Sequence, residues 1–197
     1  MWNFLIRGGY TMIPIVLCSV VSLAVIIERG FNLRVGRILP PRILDKLNRD
    51  SDFSEISAAL SENETSILAR ILKLGLRHRN LSREKNYENV SLALKQVESR
   101  LERGLVLLEI VAVVSPLLGL LGTVIGMVQV FNVISQIGAG HAQALSAGIS
   151  QPLITTIAGL VVAIPSLVAH GIYTRKIDKL ILGIEEAVTV LLQKLYP

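Results

Sequence analysis

From Ile110 to Thr174 the chain runs for 65 residues without an Asp, Glu, Lys or Arg. As one helix that stretch would extend about 98 Å, roughly three times the hydrocarbon thickness of a bilayer. It must fold back. Gly138 and Gly140, beside His141 and the weakly apolar 143–150 stretch, mark the reversal. The expected layout is a span at 106–134, an outer turn at 135–150 and a span at 151–173. A second charge-free run, Gly8 to Ile27, has the length of one more crossing, and Glu28 and Arg29 stop it at an interface. Only Arg7 precedes it and no small-residue cleavage site follows, so it reads as an anchor at 11–28 rather than a removable signal.

The rest of the composition narrows the function. Charged residues make up 18% of the 197, against roughly a quarter in an ordinary soluble domain. One cysteine, Cys18, rules out a disulfide framework within the chain and reads as a small packing residue. With only His78, His141 and His170, no metal site is expected, and no cofactor. An intramembrane hydrolase would need a nucleophile paired with a base, and the spans offer none, so no enzymatic activity is expected. Of 20 Lys and Arg, 15 lie between Arg29 and Arg103, four follow the last span, and the 135–150 turn has none. The positive-inside rule then puts 29–105 and the 174–197 tail, read as a C-terminal helix, in the cytoplasm, with the N-terminal 1–10 and the turn outside. Ten acids offset the fifteen bases of the large loop, so the basic excess reads as a topology signal and not as a nucleic-acid surface.

The cytoplasmic segment reads as helical. Asp52–Glu55 and Ser61–Glu64 have capping-box spacing, each ahead of an apolar pattern. From Arg83 onward, Tyr87, Val90, Leu94, Val97, Leu101, Leu105 and Leu108 recur at steps of three or four, which predicts one helix over 83–133, about 75 Å long. The fold class expected is all-α: a polytopic membrane protein with three transmembrane helices and long helices projecting into the cytoplasm.

Two motifs dominate the spans. The second carries Pro116-Leu-Leu-Gly119-Leu-Leu-Gly122-Thr123-Val-Ile-Gly126-Met127, whose small residues let helix backbones approach in lipid. The third carries Gln151-Pro152-Leu-Ile-Thr155-Thr156-Ile-Ala-Gly159 and ends its core at Pro165. Pro152 suits a helix first turn, and Pro165 frees a carbonyl in the interior. Each threonine can simply bond the carbonyl one turn earlier. Yet a reversal near Ala139 and Gly140 sets Thr123 and Thr156 at similar depth, where paired hydroxyls would make a polar constriction without fixed charge. Glu109 stands at the inner edge of the second span, a snorkelling residue or part of an exit path. Between Ile110 and Thr174 only His141 and His170 titrate near neutrality, one in the outer turn and one at the inner end of a span. Any proton crossing here needs a carrier from another chain.

The blocks Ser115–Met127 and Leu153–Pro165, in that order, together with Ile13-Pro14 to Glu28-Arg29, resemble the MotA/TolQ/ExbB proton-channel family. Three spans and a modest loop are similar to its ExbB/TolQ branch. The resemblance implies a ring, a homopentamer in the inner membrane, whose second and third spans surround a single-span ExbD/TolR-like partner bearing a membrane Asp. It also implies a TonB- or TolA-like energy-transducing protein, and proton motive force converted to work on outer-membrane transport or envelope maintenance. Thr123 and Thr156 match the family's pore threonines, with Thr155, Gln151 and Glu109 along the same path. Gly119, Gly122, Gly126, Gly159 and Pro165 fall on the packing motifs. Gln151 departs from the glutamate frequent at its position, and an amide carries no proton. A non-conducting membrane scaffold, whose polar residues only satisfy backbone groups, is the alternative.

Overall fold

The computed structural model describes residues 10–49, 53–63, 65–137 and 142–196. Every regular element among them is a helix: α1 (Met12–Asn32), α2 (Val35–Ile38), α3 (Pro41–Asn48), α4 (Phe53–Glu62), α5 (Ile67–Arg77), α6 (Arg83–Glu102), α7 (Leu105–Ile137) and α8 (Ala142–Leu195). Three stretches are long and apolar enough to cross a membrane, within Met12–Asn32, Arg83–Asn132 and Pro152–Leu195. The chain divides into two compact units, one of 1–28 with 104–171, the other of 29–103 with 172–197.

In the first unit the burial pattern is the reverse of a soluble bundle. Its inward seam on α7 carries Ser115, Gly119, Gly122 and Thr123, and that on α8 carries Thr155, Gly159, Ala163 and Ser166, all buried. The large apolar side chains point out: Val113, Leu117, Leu120, Val124 and Phe131 on α7, Leu153, Ile157, Val161, Ile164 and Val168 on α8 are each more than half exposed. Hydrocarbon solvates such a surface, whereas water would not. The anchor α1 adds a narrow stripe, with Met12, Ile15, Ser22 and Val25 buried.

The second unit is built as a soluble helical domain. Leu33, Ile43, Leu47, Ile56, Leu60, Leu68 and Leu72 fill its core with Ile177, Ile184 and Leu191 from α8. Burial at steps of three or four from Ile177 to Leu192 marks the helix of the tail as amphipathic. Gly75 of α5 lets α6 and α8 close in: a Cβ there would lie 3.4 Å from Leu191 and 3.7 Å from Val90. One polar cluster interrupts this core. Asn86, fully buried, donates from Nδ2 to the Gly75 carbonyl at 2.9 Å and to Tyr196 Oη at 3.1 Å. Tyr196 Oη in turn donates to the Leu81 carbonyl at 2.9 Å, with the Arg79 carbonyl at 3.2 Å. The turn between α5 and α6 is thereby capped by Tyr196.

Four expectations change. The helix expected over 83–133 is divided at Arg103–Gly104, where the Leu101 carbonyl accepts a bond from Arg29 Nη1 at 3.1 Å. Ser61 lies inside α4, bonded to the Ser57 carbonyl, and Ser66 caps α5 by accepting from the Ala69 amide at 3.0 Å. The 135–150 turn is largely helical, since α7 reaches Ile137 and α8 starts at Ala142. Ala142, Ala144 and Ala147 are strong helix formers, and Pro152 therefore stands inside α8, not in its first turn. The α6 stripe is shared out: Val90 and Leu94 are buried, and Tyr87 is 54% exposed. Residues 1–9, Asp52 and Glu64 of the expected capping boxes, and the 138–141 reversal lie outside the described residues.

Removing the Tyr196 hydroxyl leaves Asn86 and the Leu81 carbonyl without that partner, a loss of about 1–2 kcal/mol. Tyr196→Phe should therefore speed amide exchange across 78–90 by about tenfold, with Thr189→Ala, an exposed site on α8, as the unchanged control.

Candidate functional site

The seam of α7 against α8 is set by four glycines. A Cβ on Gly119 would stand 2.7 Å from the Thr155 carbonyl oxygen and 2.8 Å from the Thr156 Cα. On Gly122 it would meet Thr155 Oγ1 at 2.5 Å and Thr11 Oγ1 at 2.7 Å. On Gly126 it would enter the Pro152 ring, and on Gly159 the Ser115 carbonyl. The two helices are antiparallel in this seam, with Ser115 against Gly159, Gly119 against Thr155 and Gly126 against Pro152. Thr123 falls between the last two contacts, level with 152–155.

The hydroxyls in the seam are in different states. Thr123 is 8% exposed and donates to the Leu120 carbonyl at 2.6 Å. Thr155, 1% exposed, lies 2.6 Å from the carbonyl of Pro152 and 3.0 Å from that of Gly119, so it stitches α8 to α7. Thr156 differs: its Oγ1 is buried and has no hydrogen-bond partner, although the residue as a whole is half-buried. Ser115 Oγ is buried and unpartnered as well. Thr123 and Thr156 thus share a seam without bonding each other. In hydrocarbon an unpartnered hydroxyl is costly, and among the described residues of the seam Thr156 and Ser115 are the side chains with unmet hydrogen-bonding capacity.

The remaining expected residues are placed as follows. Glu109 is exposed near the start of α7, and Pro165 is exposed within α8. The Gln151 side chain lies outside the described residues. Sequence reasoning passed over one buried contact: Ser22 of α1 and Ser166 of α8 share a hydrogen bond of 2.6 Å, and Ser166 also reaches the Val162 carbonyl at 2.7 Å. The signal was there, a serine in each of two apolar runs, but nothing in one sequence says that they meet. Among the described residues no group of His, Cys, Asp and Glu could hold a metal ion.

A neutral seam with close backbones and uncommitted hydroxyls can receive a hydrogen-bonding group from outside and cannot itself carry a charge. A model of the MotA/TolQ/ExbB proton channel family matches residues 63–186. The putative biopolymer transport protein ExbB-like 1 of Synechocystis sp. is 33% identical over 176 residues, 85% of this chain and 68% of that relative. Biopolymer transport protein exbB1 of Vibrio cholerae is 27% identical over 180 residues, 87% of this chain and 78% of its own. The Tol-Pal system protein TolQ of Pseudomonas aeruginosa is 25% identical over 198 residues, covering 92% and 86%.

Because the clash at Gly119 is with backbone, the seam must open to admit a methyl group, at a cost of about 1–3 kcal/mol. Gly119→Ala should lower the melting temperature of the detergent-solubilised protein by several degrees. Gly171→Ala, where a Cβ meets nothing within 4 Å, should leave it unchanged or raise it.

Proposed function

We propose the function of this chain from its family: it belongs to the MotA/TolQ/ExbB proton channel family, and its ExbB- and TolQ-named relatives place it in that branch. In this reading it is a subunit of a proton-driven motor in the inner membrane. Five copies form a ring whose α7 and α8 surround a single-span ExbD/TolR-like partner, with α1 outside and in reach of a TonB- or TolA-like arm. The N-terminus faces the periplasm and the tail the cytoplasm.

The observation that carries the reading is the pairing of a charge-free 110–174 stretch with a buried, unpartnered Thr156 hydroxyl. The partner's aspartate supplies the missing titratable group, and the two threonines distinguish its two protonation states. Thr123 has its proton committed to the Leu120 carbonyl, so it offers lone pairs and accepts from a neutral carboxylic acid. Thr156 has an uncommitted O–H and donates to a carboxylate once one χ1 rotation turns it toward the pore; helical threonine populates two such rotamers. Gain and loss of the proton then exchange the favoured contact. Each charge moved through 100 mV releases about 2.3 kcal/mol, enough to bias the partner's movement inside the ring. The work serves outer-membrane transport or envelope maintenance.

Two measurements test this. Tagged protein isolated from its native membrane should bring with it a small single-span protein that has an aspartate in its span; an assembly lacking one favours the non-conducting scaffold. Thr156→Val should lose proton-driven transport by at least about tenfold with the size of the assembly unchanged, and Thr156→Ser should keep it. Full transport by Thr156→Val removes Thr156 from the pathway.

A further inference from the structure

In the proposed function the partner's carboxylic acid sheds a proton when it becomes the carboxylate that Thr156 holds. A threonine hydroxyl is no base at neutral pH, so an acceptor must lie within one or two hydrogen bonds of Thr156. Ser115 stands at that distance. The Thr156 Cα packs against Gly119, and Ser115 is one turn, about 6 Å, from Gly119 toward the Glu109 end of α7. Two hydrogen bonds of about 2.8 Å through one bridging oxygen cover such a step. Ser115 is fully buried and its Oγ has no partner. A helical serine ordinarily bonds a carbonyl one turn earlier, as Ser166 does with Val162 and Ser61 with Ser57. Ser115 does not, although a carbonyl in that turn needs a donor: Pro116 has no N–H, so the Ala112 carbonyl loses its helical partner.

A hydroxyl and a carbonyl in one turn, both short of partners, complement a molecule that donates and accepts at once. That molecule must be small. Gly159 lies against Ser115, and Ala163, one turn further along α8, is buried. With Ala112 on the Ser115 face, the side chains at this level are those of glycine, alanine and serine, and none titrates. In membrane helices a carbonyl freed by proline is commonly satisfied by ordered water. A buried water makes about three hydrogen bonds, and Ser115, the Ala112 carbonyl and an incoming acid amount to that number.

We propose that Ser115 and the Ala112 carbonyl hold a water molecule that takes the proton from the partner's aspartic acid and passes it toward the Glu109 end of the span. Ser115 donates to the water oxygen, the water donates to the Ala112 carbonyl, and the lone pair left on the water accepts the acid's proton. The acid's O–H bond breaks and a carboxylate remains for Thr156. The hydronium gives one proton to solvent water at the Glu109 end and returns to water. Ser115 keeps its own proton throughout, so it is a positioning residue. The inference rests on the channel reading, and its test separates the two.

The test is proton flux into liposomes holding the complex with its single-span partner, in H2O and in D2O. Ser115→Ala should keep the partner bound and lower the flux at least about tenfold. Its H2O-to-D2O flux ratio should rise above that of wild type, because transfer of the proton to water becomes limiting. Ser19→Ala removes a hydroxyl from the exposed face of α1 and should conduct as wild type does. Undiminished flux through Ser115→Ala, with wild type conducting, overturns this site and leaves the channel reading standing. A slowed Ser115→Ala with the wild-type isotope ratio, or an equal loss in Ser19→Ala, also overturns it, since the serine then serves packing alone. A wild-type complex without flux overturns both readings. Ser115→Cys keeps the volume with a weaker donor and should lose flux severalfold with the same rise in isotope ratio, which keeps the proposal testable if the alanine variant does not assemble.

Discussion

In hydrocarbon a polar group can bond only to protein, and an apolar side chain gains nothing by leaving the lipid. That constraint organises the membrane-embedded part of this chain. Leu, Ile, Val and Phe are free to face outward, so the helices must be held together by what remains: close backbones and hydroxyls. Gly119, Gly122, Gly126 and Gly159 admit the approach, and Thr155 bridges it through the Gly119 carbonyl. The Ser22–Ser166 bond does the same for the anchor helix. Around Asn86 in the second unit the solvent logic reverts to that of water, with a leucine-rich core and one polar cluster closed by Tyr196.

The same constraint bears on function. A seam that must keep backbones close can hold hydroxyls but no carboxylate, because a fixed charge there would have no partner. Most of its hydroxyls are satisfied locally. Among the described residues Thr156 and Ser115 are the exceptions, in a region where such exceptions carry a large desolvation penalty, and in the proposed function a group arriving from another polypeptide relieves it. In the proposed function, stability and ion transfer draw on neighbouring atoms of one interface, so substitutions at the glycines are expected to act on the first and substitutions at Thr156 on the second.

Much of this was legible in the sequence, for a physical reason. A 65-residue absence of charge is a signal summed over many positions, and only a membrane hairpin satisfies it. Thr123, Thr155 and Thr156 stood out as candidates too, because polar residues are conspicuous against an apolar run. Local detail was less so. Ser61 and Ser66 both have the chemistry of a cap, and tertiary packing of Ile56, Ala59 and Leu60 extends α4 past the first to leave the second as the boundary. At the break at Arg103–Gly104, Arg29 reaches the Leu101 carbonyl from 72 positions away, a contact no local pattern announces. The distinction between Thr155 and Thr156 is finer still: adjacent residues of one type differ because one meets a carbonyl across the seam and its neighbour does not. The tail was expected as a helix, and what the fold around it adds is which face, Ile177 to Leu192, is buried.

The central claim is that this chain shapes a proton path without supplying the group that carries the proton. Proton flux into liposomes under an imposed pH and voltage gradient measures it directly, with the purified oligomer reconstituted alone and then with the single-span protein isolated alongside it. The account predicts background flux for the chain alone and a marked rise with the partner present. Sustained flux through the chain alone would contradict it.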